Sequence, residues 1–300
     1  MIINKLNIDA TTTNFSVGLK VIDENTGIDK FGIKYHLSEH GEPYPMNSIV
    51  EDLKDCKNLD MTSKIKSSDF NGVEYVFSKF GKSKAHFLNI LDPYKLSWRL
   101  RGGMQNLLMD YMVNPELVHK LAEITVEYDM AAMNIAQKIG IDIIAMTGDL
   151  AGEKTTIMSP THYRKYVKPY HKKIVEHAHK LGLKIVKHSD GNIWPILDDF
   201  IEVGFDGIHP IQPQCMDIGE VKEYIKGKAC ILGNIDCRNL LSFGSQKEVE
   251  NIVKETIEVA APGGGYIISS SNSIHPNVKP ENYIAMIEAV HKYGVYESAK

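Results

Sequence analysis

The sequence predicts an α/β protein of the (β/α)8 TIM-barrel type with an atypical or incomplete N-terminal portion. Three observations carry this expectation. The chain has 300 residues, 43% hydrophobic and 24% charged, which suits one large domain with a substantial core and excludes a disordered or fibrous chain. Its C-terminal half alternates strand and helix in five consecutive units of about 25–40 residues, which implies parallel strands joined by right-handed crossovers. No Gly-rich phosphate fingerprint links a strand to a helix, and Pro262-Gly263-Gly264-Gly265 precedes a strand instead. A closed barrel is therefore favoured over an open doubly wound sheet.

Residues 14–80 are the least regular, with a hairpin expected around 16–23 and 32–36 and a polar, proline-containing stretch at 41–63. Residues 85–91 read as a strand, and Asn114-Pro115-Glu116 opens an amphipathic helix over 115–138. Residues 141–146, bounded by Gly140 and Gly148, form a short apolar run suited to a strand buried on both faces. Ser159-Pro160 supplies an N-cap and an N1 proline for a helix over 160–180 that stops at Gly182. Strands at 183–187, 205–209, 228–233 and 266–269 then alternate with helices at 193–203, 217–226, 246–260 and 280–293. Six barrel strands follow from this pattern, and two stay unassigned. Residues 1–300 are expected to form a single barrel domain, with 1–80 as its irregular N-terminal part.

Charge and composition narrow the function. A formal net charge of −4 and an isoelectric point near 6.3, without a dense lysine or arginine run, exclude nucleic acid as a partner. The opening MIINKLNIDATTTNF lacks a secretory pattern, and no window approaches the about 18 apolar residues of a membrane span, so no membrane association and a cytoplasmic location are expected. The four cysteines, Cys56, Cys215, Cys230 and Cys237, form no CxxC pair. Neither a disulfide framework nor a cysteine-only zinc knuckle is indicated, and at most one or two can be ligands.

In a parallel barrel the catalytic groups sit on the loops that follow strands. Five consecutive strand ends carry polar or titratable residues: Asp149 and Glu153; His188, Asp190 and Asn192; His209 and Gln212; Asn234, Asp236 and Cys237; Ser270, Asn272 and His275. Imidazoles serve as ligands or proton carriers, and carboxylates as ligands, acids or bases. One or two imidazoles, carboxylates and the Cys237 thiolate would suit zinc with an open position. Asp190-Gly191-Asn192 also reads as an Asx turn with a capping asparagine. His162, His171, His177 and His179 read as surface or packing residues, and Met104, Met109 and Met112 as helix packing. Trp98-Arg99-Leu100-Arg101-Gly102-Gly103 sets an aromatic or arginine over the mouth, or else simply exposes helix arginines.

Several of these runs resemble the uroporphyrinogen decarboxylase superfamily in order and spacing: Thr147-Gly148-Asp149-Leu150-Ala151, Ser159-Pro160, His188-Ser189-Asp190-Gly191-Asn192, Gly233-Asn234-Ile235-Asp236, Pro262 to Tyr266 and Lys279-Pro280-Glu281-Asn282-Tyr283. The resemblance covers residues 92–300 and implies a (β/α)8 barrel. It also implies one of two chemistries, cofactor-free decarboxylation of a porphyrinogen or methyl transfer to or from a corrinoid protein. The decarboxylases carry an N-terminal arginine-rich motif, whereas this chain has no arginine before Arg99. The family's methylcobamide:coenzyme M methyltransferases carry a His-x-Cys zinc motif and a distant cysteine. Here the positions read His188, Asp190 and the Ser270-Ser271-Asn272-Ser273 region. The missing thiolates point to a harder site rich in oxygen and nitrogen, and the His-Ser-Asp-Gly-Asn form resembles the corrinoid-dependent O-demethylases.

The expected function is transfer of a methyl group from a small methylated substrate, an aryl methyl ether, to cob(I)amide carried by a separate corrinoid protein. Asp149, Glu153 and Asp190 are the expected catalytic groups. Trp98, Asn192, His209, Asn234 and Asn272 are expected to bind substrate, and His188, Asp190 and Cys237 to bind zinc. The alternatives are a decarboxylase-like lyase, a methylcobamide:thiol methyltransferase, or a non-catalytic barrel subunit. The helix and apolar first strand with which family members usually begin find no clear counterpart in the opening residues, so either the barrel wall is incomplete, with a partner subunit as one way to fill it, or the opening residues have diverged. A homodimer stays open.

Overall fold

The computed structural model describes residues 2–38 and 42–295. After a one-turn helix, Ile2–Lys5, the segment Ala-Thr-Thr-Thr-Asn forms strand β1 (Ala10–Asn14). The opening residues thus supply a short helix and a first strand that pairs with the next one, as the diverged alternative holds, although the strand is not apolar. Threonine favours extended backbone, but only Thr11 in this strand is buried, so no apolar run marks it. The expected hairpin is a four-stranded antiparallel meander: β2 (Lys20–Asp23), β3 (Thr26–Ile28), β4 (Lys34–His36) and β5 (Tyr44–Pro45). The first residue of the polar stretch 41–63 lies outside the described residues. The rest holds β5 and a helix, Leu53–Asn58, started by a reciprocal cap between Asp52 and Asp55.

Six further strands follow, one for each expected from the sequence: β6 (Ala85–Leu91), β7 (Ile143–Thr147), β8 (Lys184–His188), β9 (Gly207–His209), β10 (Cys230–Leu232) and β11 (Tyr266–Ile267). With β1 they make a curled parallel sheet in the order β1-β6-β7-β8-β9-β10-β11. Among the described residues the barrel wall has seven strands and no eighth, and β1 and β11 are its edges. The last helix, Pro280–Tyr293, reaches the chain start where His291 Nε2 donates to the Leu6 carbonyl at 3.1 Å.

Register decides where chemistry collects. Leu91 pairs with Thr147, Thr147 with His188 and His188 with His209, so four successive strands end level on one side of the sheet. The helices that follow are capped by short polar residues. Asp92 accepts from the Tyr94 N–H ahead of Pro93, Ser159 from His162, Asp217 from Glu220, and Ser245 forms a capping box with Glu248.

Two helices and two methionines depart from expectation. The helix over 160–180 is two helices, Pro160–Tyr166 and Lys168–Lys180, because Pro169 has no N–H for the preceding turn and its ring clashes with that turn's carbonyl. The helix over 193–203 opens as a 3₁₀ turn, Trp194–Ile196, and continues as Leu197–Val203. Met104 packs on the core, but Met109 and Met112 are exposed because they face outward from Met104–Val113. No described helix is long and apolar enough to cross a membrane.

Candidate functional site

The loops after β7 and β8 are laced together at the level end of the sheet. Asp190 N–H donates to Asp149 Oδ1 (3.0 Å), Leu150 N–H to Ser189 Oγ (2.9 Å) and Asn192 N–H to the Gly152 carbonyl (2.8 Å). Gly191 is required for this approach. Its φ is +87°, and a Cβ there would stand 2.5 Å from the Gly152 carbonyl oxygen. Gln212, from the loop after β9, accepts from the Gly191 N–H at 2.7 Å.

This lacing brings Asp149, His188 and Asp190 together, with one ligand-capable atom from each inside a 4.8 Å cluster. His188 Nε2 lies 3.6 Å from Asp149 Oδ1 and 4.0 Å from Asp190 Oδ1. Asn272, from the loop after β11, donates to Asp190 Oδ2 at 2.6 Å.

The two histidines are joined ring to ring: His188 Nδ1 and His209 Nδ1 are 2.7 Å apart, so one of them donates and the other accepts. When His188 is the donor, its Nε2 keeps a lone pair for a metal. His188 Nε2 is the ring nitrogen that faces the two carboxylates. Both rings are held neutral. Burial, then the Lys187 and Lys95 charges, push His188 down to about 3, and burial, then His188, push His209 down to about 3. Burial and the neighbouring Asp149 raise the Asp190 carboxyl to about 7, against the Asn272 bond and Lys95.

These donors fit a zinc ion. Ligand bonds of about 2.0–2.2 Å place tetrahedral neighbours about 3.4 Å apart, close to the separations here, and a neutral imidazole with two carboxylates leaves a position open. The like-charged Asp149 and Asp190 are also what a dication would neutralise.

Beneath the cluster lies a group of polar residues with no exposure at all. Lys187 Nζ contacts Asp92 Oδ2 (2.8 Å) and donates to the Gly148 (2.7 Å) and His188 (2.8 Å) carbonyls. His171 Nε2 lies 2.8 Å from the same Asp92 oxygen, and Tyr163 meets His171 Nδ1 at 3.1 Å. Burial alone would raise the Asp92 carboxyl, but His171 and Lys187 hold it well below its ordinary value. Lys187 thus ties together the two loops that present Asp149 and His188. Asp92 and Lys187 escaped the strand-end reading. Asp92 shows only as the cap before Pro93, and a lysine inside a strand reads as surface.

The uroporphyrinogen decarboxylase (URO-D) family model matches residues 22–293. The chain belongs to this family. It is 28% identical over 178 residues to "Uroporphyrinogen decarboxylase" of Geotalea uraniireducens (strain Rf4), covering 59% of this chain and 50% of that protein. It is 25% identical over 264 residues to "Methylcobamide:CoM methyltransferase MtbA" of Methanosarcina acetivorans, covering 80% of this chain and 75% of that protein. The chain therefore spans about half the length of the decarboxylases it matches. A solved "methyltransferase from Methanosarcina mazei" superposes with a TM-score of 0.77 at 18% identity, over 98% of this chain and 83% of that one. That likeness supports the barrel fold.

In this member of the URO-D family the remaining expected site residues divide. Asn272 and His209 touch the cluster, through Asp190 and His188. Trp98 is buried and stacked on Tyr44, with ring centroids 5.9 Å apart. Glu153 sits outside the cluster, exposed and paired with Arg238 at 2.9 Å. Asn192 caps locally, accepting from Trp194 N–H and donating to the Lys154 carbonyl, as the Asx-turn reading allows. Asn234 donates to the Ile211 carbonyl at 2.8 Å. Cys237, expected as a zinc ligand, lies apart from the other two expected ligands. Its thiol is buried in a second apolar cluster with Ile235, Leu241 and Val249, where it accepts from Ser271 Oγ, and it is absent from the Asp149–His188–Asp190 grouping.

Proposed function

We propose that the chain transfers a methyl group from an aryl methyl ether to the cob(I)amide of a corrinoid protein. The donor set supports this most directly: one imidazole and two carboxylates, with no thiolate among them. Thiolate-rich zinc suits handling of a soft thiol, whereas nitrogen and oxygen donors suit a hard ether oxygen. The 25% identity to a protein named as a methylcobamide methyltransferase supports corrinoid chemistry of this class.

Asp149, His188 and Asp190 would hold the zinc. Bound there, it supplies a Lewis acid for the ether oxygen. Asn272 orients Asp190, and His209 keeps the His188 lone pair aimed at the cluster. Trp98 and Tyr44 form an aromatic wall for the ring, while Glu153, Asn192 and Asn234 shape the rim and loops. The O–CH3 bond breaks with its electron pair staying on oxygen. Cob(I)amide supplies the pair for the new Co–C bond and becomes methyl-Co(III), and the phenolate takes a proton from water.

Mixing the zinc-loaded chain with reduced corrinoid protein and methoxylated aromatics is expected to produce the methyl-Co(III) spectrum. Methylamine and methyl thioether donors are expected to leave the Co(I) spectrum unchanged. No change with any methoxylated donor, alongside turnover of a thiol or thioether, would overturn the reading.

A further inference from the structure

We propose that Lys95 and Arg99 form an anion subsite beside the cluster, which takes the carboxylate of an aromatic substrate. This deepens the reading above and rests on it for the methyl ether. The two cations stand one turn apart on the helix Pro93–Leu100, directly after β6. Lys95 packs against the loop that carries Asp149: a Cβ on Gly148 would lie 3.1 Å from Lys95 Cβ.

Both cations are withdrawn from water, with side-chain exposures of 8% for Lys95 and 13% for Arg99. A buried cation needs an anion. The partner here is Glu42, whose Oε2 lies 2.6 Å from Lys95 Nζ and 3.7 Å from an Arg99 terminal nitrogen. Glu42 itself is 68% exposed and comes from the segment ahead of β5. An exposed carboxylate loses little on returning to water, so Glu42 is an exchangeable occupant. Among the described residues, Arg99 Nε is buried with no hydrogen-bond partner, leaving one donor of its fork unused.

Aromatic surface adjoins the cations. The Arg99 guanidinium lies 5.7 Å from the Tyr35 ring centroid and 5.8 Å from that of Trp98, which stacks on Tyr44. An aromatic carboxylate seated on Lys95 and Arg99 would adjoin Tyr35 and Trp98 and lie beside the Gly148–Asp149 loop. The substrate class is then a methoxylated benzoate, not a neutral anisole.

The test uses benzoate, which has no methyl ether, and neutral benzamide, in chelator-treated full-length protein, so that no metal captures the carboxylate. Calorimetry should show benzoate binding about tenfold or more tighter than benzamide, as expected for a hydrogen-bonded charge. Glu42→Gln should tighten benzoate by removing the resident anion, and Lys95→Met, checked for folding by circular dichroism, should erase the preference. Equal affinity for the two ligands in the unmodified chain, or a Glu42→Gln variant with unchanged benzoate affinity, would overturn the subsite. A benzoate preference without ether demethylation would overturn the proposed reaction and leave the subsite standing. Ether demethylation without the preference would do the reverse.

Discussion

Two of the histidines that meet carboxylates, His171 and His188, differ in their surroundings by one paired cation. His171 shares Asp92 with Lys187, and all three are fully buried. His188 faces Asp149 and Asp190, whose side chains are 42% and 32% exposed, with no cation inside the grouping. The first group is balanced in charge and closed to solvent, as a structural ion pair must be. The second has negative charge left over at the open end of the barrel, as expected of a site that receives a cation. A histidine beside a carboxylate is thus a weak signal by itself. The charge balance around it separates support from site.

The largest expected effect is on the closed group. Lys187→Met leaves Asp92 without its cation and unties the Gly148 and His188 carbonyls, so unfolding in urea should show a loss of about 3–5 kcal/mol. An unchanged midpoint would erase the distinction between the two groups.

An intermediate effect is expected at His209. His209→Phe removes the ring nitrogen bonded to His188 Nδ1, and zinc affinity should fall about 10–100-fold with little change in stability. Competition with a chromogenic chelator measures it, and an unchanged affinity would remove His209 from the account.

How much of this was legible in the sequence depends on how local each signal was. The six strands from β6 to β11 announce themselves as apolar runs between glycines and capped helices. Strand β1 does not, because three threonines and an asparagine leave it without an apolar run, and only its pairing with β6 reveals it. The strand-end rule found Asp149, His188, Asp190, His209 and Asn272, since parallel register carries loop residues to one end. It also returned Cys237, whose place after β10 looks equivalent until packing turns the thiol into the second apolar cluster. Lys187, Asp92 and Lys95 were not legible because their burial comes from tertiary packing, which single-residue polarity does not report.

The smallest effect contrasts Asp92 with another buried acid. Among the described residues, neither carboxyl oxygen of Asp129, on the helix Pro115–Ile139, has a hydrogen-bond partner, and burial together with the Asp92 charge pushes it well above its ordinary value. Asp92, depressed by its partners, contributes stability above pH 3.8 that is lost as the pH falls below it. Asp129 has the opposite sign. The folded chain holds its proton more tightly than the unfolded chain, so stability declines as the pH rises above 3.8. Urea midpoints between pH 4 and 7 should therefore decline less in Asp129→Asn than in the unmodified chain. Parallel curves would contradict that sign.

The central claim is that Asp149, His188 and Asp190 hold a metal through nitrogen and oxygen, with no cysteine. Its most direct test is the zinc content of the purified chain, of His188→Ala and of Cys237→Ser after dialysis against trace zinc. About one zinc per chain is expected in the unmodified protein and in Cys237→Ser, and none in His188→Ala. Zinc retained without His188, or lost without Cys237, would contradict the account.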